Sequence, residues 1–85
     1  MAISKEDIEN WFTYHKPQDG QQERYQEIRD AAKLLAHTIR NCTAPSADQT
    51  AAIRKLRECV MTANQGIACE SVGDRLIVAA QRDNA

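Results

Sequence analysis

The sequence predicts an all-α protein: a short N-terminal helix plus a long antiparallel helical hairpin, assembling into a homo-oligomer. Three observations predict it. Two segments of matching length repeat apolar residues at alternating spacings of three and four. Capping residues and a proline punctuate their ends. And an 85-residue chain buries only a little over ~60% of the surface its unfolded form exposes, so a single copy is marginal and subunits can supply the missing core.

The elements follow in chain order. Ser4 with Asp7 resembles a capping box that uses Asp in place of Glu, opening a helix that runs to about Asn10–Phe12. Pro17 and Gly20 stop it, and T-Y-H-K-P-Q-D-G reads as an ordered turn. The second segment runs from about Gln21 to Cys42, with a seam of Tyr25, Ile28, Ala32, Leu35, Ile39 and Cys42. The third runs from about Ala47 to Cys69 after Pro45, with Ser46 as N-cap and Gln49 expected to close its box. Its seam is Ile53, Leu56, Val60, Ala63 and Ile67. Two seams joined by a few residues specify an antiparallel hairpin with arms of roughly 32–35 Å. Residues 1–69 therefore form the hairpin domain with its N-terminal helix, and residues 70–85 a C-terminal extension. In that extension Asp74 offers a cap for one more short helix, and a frayed tail fits the same letters.

The heptad flanks differ from each other. One carries Arg24 and is otherwise lined by small residues (Ala31, Thr38, Ala52, Cys59, Gly66), which let another backbone approach closely. The other carries Gln22, Arg29, Ala36, Thr50, Arg57 and Asn64, and is suited to polar contact.

Composition narrows the function classes. Charged residues are 27%, apolar 42% and aromatic 5%, which excludes a disordered or collagen-like chain. A net charge of −1 disfavours binding a DNA or RNA polymer through many phosphates. No apolar run reaches the ~18 residues a membrane span needs, and the acidic, polar start is unlike a secretory signal. Cys42, Cys59 and Cys69 form no C-x-x-C, and no His stands at zinc spacing, so neither a metal nor a disulfide framework is expected.

Three of the four aromatic residues, Trp11, Phe12 and Tyr14, fall within four positions, followed by His15 and Lys16. Trp11 and Phe12 can pack on the hairpin. Tyr14 sits in a turn, where binding groups concentrate, although it could equally close that turn onto the hairpin. Arg29 and Arg57 share the polar flank about five residues apart along the arms, roughly 8 Å, with Lys33 one turn beyond Arg29. An aromatic face beside cations suits a nucleobase attached to phosphate. Pairing of those cations with Glu27, Asp30 or Glu58 is the alternative. Catalytic signals are weak: His15 and His37 stand far apart, and no Walker loop, H-E-x-x-H or G-x-G-x-x-G occurs. No catalytic residue and no cofactor is expected.

The wording of the motifs goes further. W-F-T-Y-H-K-P at 11–17, Y-Q-E-I-R-D-A-A-K-L-L-A at 25–36 and L-R-E-C-V-M-T-A-N-Q-G-I-A at 56–68 closely resemble the phage anti-CBASS protein 2 family and its Thoeris anti-defence relatives. The resemblance spans about residues 4–69. It implies a helical, commonly hexameric sponge in the host bacterial cytoplasm. Such a sponge sequesters cyclic dinucleotides such as cGAMP without cleaving them, and cyclic trinucleotides on a separate surface. Carried over by motif, the pocket aromatic is Tyr14, the phosphate-contacting base is Arg29, and the Arg of L-R-x-x-V-M is Arg57. His15, Pro17 and Lys33 match family positions of the ligand site. Thr62 departs from the bulkier residue expected before A-N, and the tail from Glu70 lies outside the match.

Two other classes fit parts of the sequence. A helical adaptor would present Tyr14 as an anchor to a partner protein. A phosphodiesterase would need His15 as a general base with nothing beside it to activate.

Overall fold

A computed structural model describes residues 2–84, and the described residues hold four helices and no strand. They are α1 (Lys5–Trp11), α2 (Gln21–Cys42), α3 (Ala47–Ala68) and α4 (Val72–Asp83). Helix α1 opens on the expected capping box: the Asp7 N–H donates to Ser4 Oγ and the Ser4 N–H to Asp7 Oδ2, both at 3.0 Å. Gly20 stands at the N-cap of α2 with φ +82°, a conformation that costs a residue bearing a Cβ.

Helices α2 and α3 are 22 residues each, about 33 Å at the helical rise, and pack as the hairpin the two seams require. Ser46 caps α3 by accepting from the Gln49 N–H at 3.1 Å. The Gln49 side chain does not close the box. Its Nε2 instead donates to the carbonyls of Arg40 (3.2 Å) and Thr43 (3.0 Å), satisfying carbonyls that the end of α2 leaves open. The amide reaches across the hairpin tip because α2 ends beside α3, a neighbour no local pattern encodes.

The tail is a helix. Ser71, not Asp74, is the N-cap of α4; Asp74 is the third helical residue of a full capping box. Helix α4 returns toward the start of α2, where Arg82 pairs with Glu27 at 2.8 Å on the surface. Together with the hairpin it bounds a cleft of about 550 Å³ that includes Ala31, Ala63 and Gly66. Part of the small-residue flank therefore faces the chain's own α4.

The base of the hairpin is tied by polar groups. Glu70, just past α3, accepts from Arg24 Nη1 (2.8 Å) and Nη2 (2.5 Å), with both side chains largely buried. The Arg24 hydrogen bonds hold the Glu70 carboxyl below the usual range against the opposing effect of burial, and the Glu70 bond raises Arg24 in turn. Burial, and then the nearby Glu70 charge, push the Tyr25 phenol up.

A single copy has very little interior. Among the described residues only Ile67 and Gln21 are fully buried. The seam residues Ile28, Ile39, Ile53, Leu56 and Val60 are half-buried, and Leu35 is 48% exposed. The radius of gyration is 15.8 Å, where a compact chain of this length has about 12 Å. Two helices in one layer cover only one stripe of each other, so the remaining apolar positions face outward.

Candidate anion-binding groove and aromatic turn

The polar flank of the hairpin forms a groove of about 450 Å³. Its floor is apolar: Ala32 and Ala36 from α2, with Ile53, Leu56, Val60 and Met61 from α3. Arg29 and Lys33 edge it from α2, and Arg57 from α3. The heptad register does this directly. Floor residues belong to the seams and their neighbours, and the three cations lie one step outside them.

None of these three cations is ion-paired among the described residues. Arg29 Nη1 donates to the neutral Gln26 amide at 2.9 Å. Of the carboxylates nearest in sequence, Glu27 pairs with Arg82 and Asp30 accepts from Gln26 at 2.8 Å, while Glu58, beside Arg57, makes no ion pair among the described residues. Three positive charges over an apolar floor suit a ligand with anionic oxygens and flat apolar rings. No cluster of metal-ligating side chains occurs among the described residues.

The turn between α1 and α2 holds the other residues singled out from the sequence. Tyr14 is 83% exposed, as is Phe12, so neither closes the turn onto the hairpin. Pro17 is exposed as well. His15 is half-buried, and its Nε2 lies 2.6 Å from the Asn10 carbonyl. A carbonyl only accepts, so this nitrogen carries the proton and donates. The imidazole closes the turn onto α1. Tyr14, His15 and Pro17 do not line the groove of Arg29, Lys33 and Arg57 within one copy.

The turn is anchored at both ends to the last turn of α3. At its start, Asn10 Nδ2 donates to the Cys69 carbonyl (3.3 Å) and Gln65 Nε2 to the Trp11 carbonyl (3.1 Å). At its end, Gln21 links Gln18 to Ile67 and Glu70. Sequence reasoning missed Asn10, Gln21, Gln65 and Glu70, and no spacing rule signals them. It also missed Met61 in the groove, which the heptad places just beyond the seam.

The model of the Acb2/Tad1 hairpin domain matches residues 4–68, most of the chain, from the Ser4 cap to the last residue of α3. The chain belongs to the Acb2/Tad1 hairpin family. No curated protein and no solved structure matches it. The Acb2/Tad1 match takes in the aromatic turn, both arms and all three groove cations. Glu70 and α4 lie beyond it. No helix among the described residues is long and apolar enough to cross a membrane.

Proposed function

We propose that this Acb2/Tad1 hairpin protein is a phage anti-defence sponge, which binds cyclic oligonucleotide messengers of bacterial CBASS immunity in the host cytoplasm and holds them without cleaving them. The observation that carries the reading is the groove in which Arg29, Lys33 and Arg57, unpaired with any carboxylate, edge an apolar floor on a hairpin of this family. Arg29, Lys33 and Arg57 contact phosphate, and Tyr14 stacks on a base, with His15 and Pro17 shaping the turn that presents it. Cyclic dinucleotides such as cGAMP are the first ligands, and cyclic trinucleotides the second.

The large exposed surface supports an assembled form of the same reading. The chain exposes 7045 Å², about 2,000 Å² more than the ~5,000 Å² of a compact monomer of its mass. An obligate interface removes area of that order from each subunit. A cyclic dinucleotide is nearly two-fold symmetric, and a two-fold interface presents each residue twice. One Tyr14 and one Arg29 per copy then serve both halves of the ligand, with the turn of one copy brought to a groove of another. A hexamer provides three such sites. Two stacked bases contribute roughly 2–6 kcal/mol, and each charge-assisted hydrogen bond to phosphate about 1.5–3 kcal/mol. Together they approach the ~12 kcal/mol of nanomolar binding.

Calorimetry with a panel of cyclic di- and trinucleotides, followed by heat release and chromatography of the ligand, tests the proposal. Intact ligand recovered at a fixed stoichiometry is the expected result. A cleaved ligand would indicate a phosphodiesterase, and absence of binding across the panel a protein-binding adaptor; either outcome ends the sponge reading.

A further inference from the structure

Gln21 is the one polar side chain fully buried among the described residues, 2% exposed at the first position of α2. Its amide is fully used. Oε1 accepts from the Gln18 backbone N–H at 2.8 Å, and Nε2 donates to the Ile67 carbonyl at 2.9 Å and to Glu70 Oε1 at 3.1 Å. An apolar side chain of the same length would fill this place without the desolvation cost that an amide carries. What it could not do is fix the direction from which Gln18 approaches α3, because dispersion contacts are non-directional and a satisfied buried amide is not.

Gln18 closes the turn that begins beyond Trp11. The other end of that turn is held to the same turn of α3 through Asn10 and Gln65. Tyr14, between the two anchors, is 83% exposed, and its neighbours Thr13 and His15 bond only to the Glu9 and Asn10 carbonyls at the end of α1. An exposed aromatic on a loop binds tightly only when the loop is ordered before the ligand arrives. Those bonds hold the turn to α1, and its order relative to the hairpin comes from the anchors.

We propose that Gln21 is a positioning residue for the Tyr14 turn: its buried amide clamps Gln18 to the end of α3 and so preorganises the tyrosine for stacking. This inference rests on the reading of Tyr14 as a ligand contact. It extends that reading to a residue that no ligand touches, and to Glu70, which stands outside the matched residues 4–68. The C-terminal extension thereby acts on the site without reaching it.

The test uses full-length Gln21→Met, which keeps length and volume and removes all three hydrogen bonds. In amide hydrogen exchange without ligand, the Gln18 N–H is expected to lose at least tenfold of its protection, with α2 beyond its first turn and α3 before its last turn unchanged. In titration with cGAMP, Gln21→Met is expected to weaken binding about tenfold in the natural background and less than twofold in Tyr14→Ala, since it acts through Tyr14. Unchanged Gln18 exchange overturns the clamp. Equal loss of affinity in both backgrounds overturns the positioning role, because a generally weakened fold would act on both alike. Should Gln21→Met lose helicity, the natural chain still decides: its Gln18 N–H, which meets Gln21 Oε1 at 2.8 Å, is expected to exchange at least tenfold more slowly than an unprotected amide, and exchange at the unprotected rate refutes the clamp. If the natural chain binds no cyclic nucleotide, the sponge reading fails, and the exchange measurement still decides whether Gln21 holds the turn.

Discussion

Replacing Glu70 with glutamine removes one negative charge from the base of the hairpin and leaves Arg24 without a counter-charge. Arg24 meets Glu70 through two hydrogen bonds of 2.8 and 2.5 Å, with 13% and 9% of the two side chains exposed. A charge-assisted hydrogen bond contributes about 1.5–3 kcal/mol, and breaking a fully buried pair costs about 3–5 kcal/mol. Because some solvent reaches this pair and glutamine keeps one carbonyl acceptor, Glu70→Gln should cost about 3 kcal/mol. In a domain of this size that lowers the melting temperature by roughly 12–24 °C. The pH dependence has a definite sign. Glu70 is held below its ordinary value in the folded state, so its contribution is fully present above the unfolded carboxylate value of about 4.3 and is lost as pH falls through the folded value. Melts of both proteins by circular dichroism, at one protomer concentration from pH 8 to pH 3, should show a constant gap down to about pH 5 and a closing gap below about pH 4. A gap under ~3 °C at pH 7 would refute the energetic role of the pair, given the ~4–8 °C expected for each kcal/mol. A gap that persists unchanged at pH 3 would refute its electrostatic origin.

The remaining predictions concern ligand, assembly and boundaries. Tyr14→Ala should weaken cyclic dinucleotide binding by about 1–3 kcal/mol per base stacked, and Tyr14→Phe far less; since Tyr14 is 83% exposed, neither should move the melting temperature by more than a degree or two. Arg29→Ala should weaken all cyclic dinucleotides alike in the same titrations, and unchanged affinity would remove Arg29 from the site. In sedimentation at micromolar concentration the natural chain should be an oligomer and Leu34→Glu, at a position 70% exposed in one copy, should dissociate it while its helicity persists; a stable natural monomer would refute assembly. A chain ending at Cys69 should melt well below one ending at Glu70, because the second keeps the partner of Arg24 and Gln21; equal melts would refute this.

What could be read from the letters was whatever is encoded within a few residues. The spacing of Tyr25, Ile28, Ala32 and Leu35 against Ile53, Leu56, Val60 and Ala63 determines a hairpin, because a helix places residues three and four apart on one stripe. Ser4 with Asp7, and Ser46 before α3, determine helix starts because a cap acts over three residues. The same register placed Arg29 and Arg57 on one flank, and the groove bears that out. Glu70 looked like the first letter of a loose tail, and it is the carboxylate that meets Arg24 across 46 positions of sequence. Gln21 looked like an ordinary helix start and is the buried polar hub; Gln49 looked like half of a capping box and secures the preceding helix. A side-chain amide or carboxylate has no period, and its partner depends on which chain ends the packing of α2 and α3 brings together. Periodicity alone therefore determined the hairpin and its charged flank, while the clamp that holds the aromatic turn became visible only once the ends of those two helices met in space.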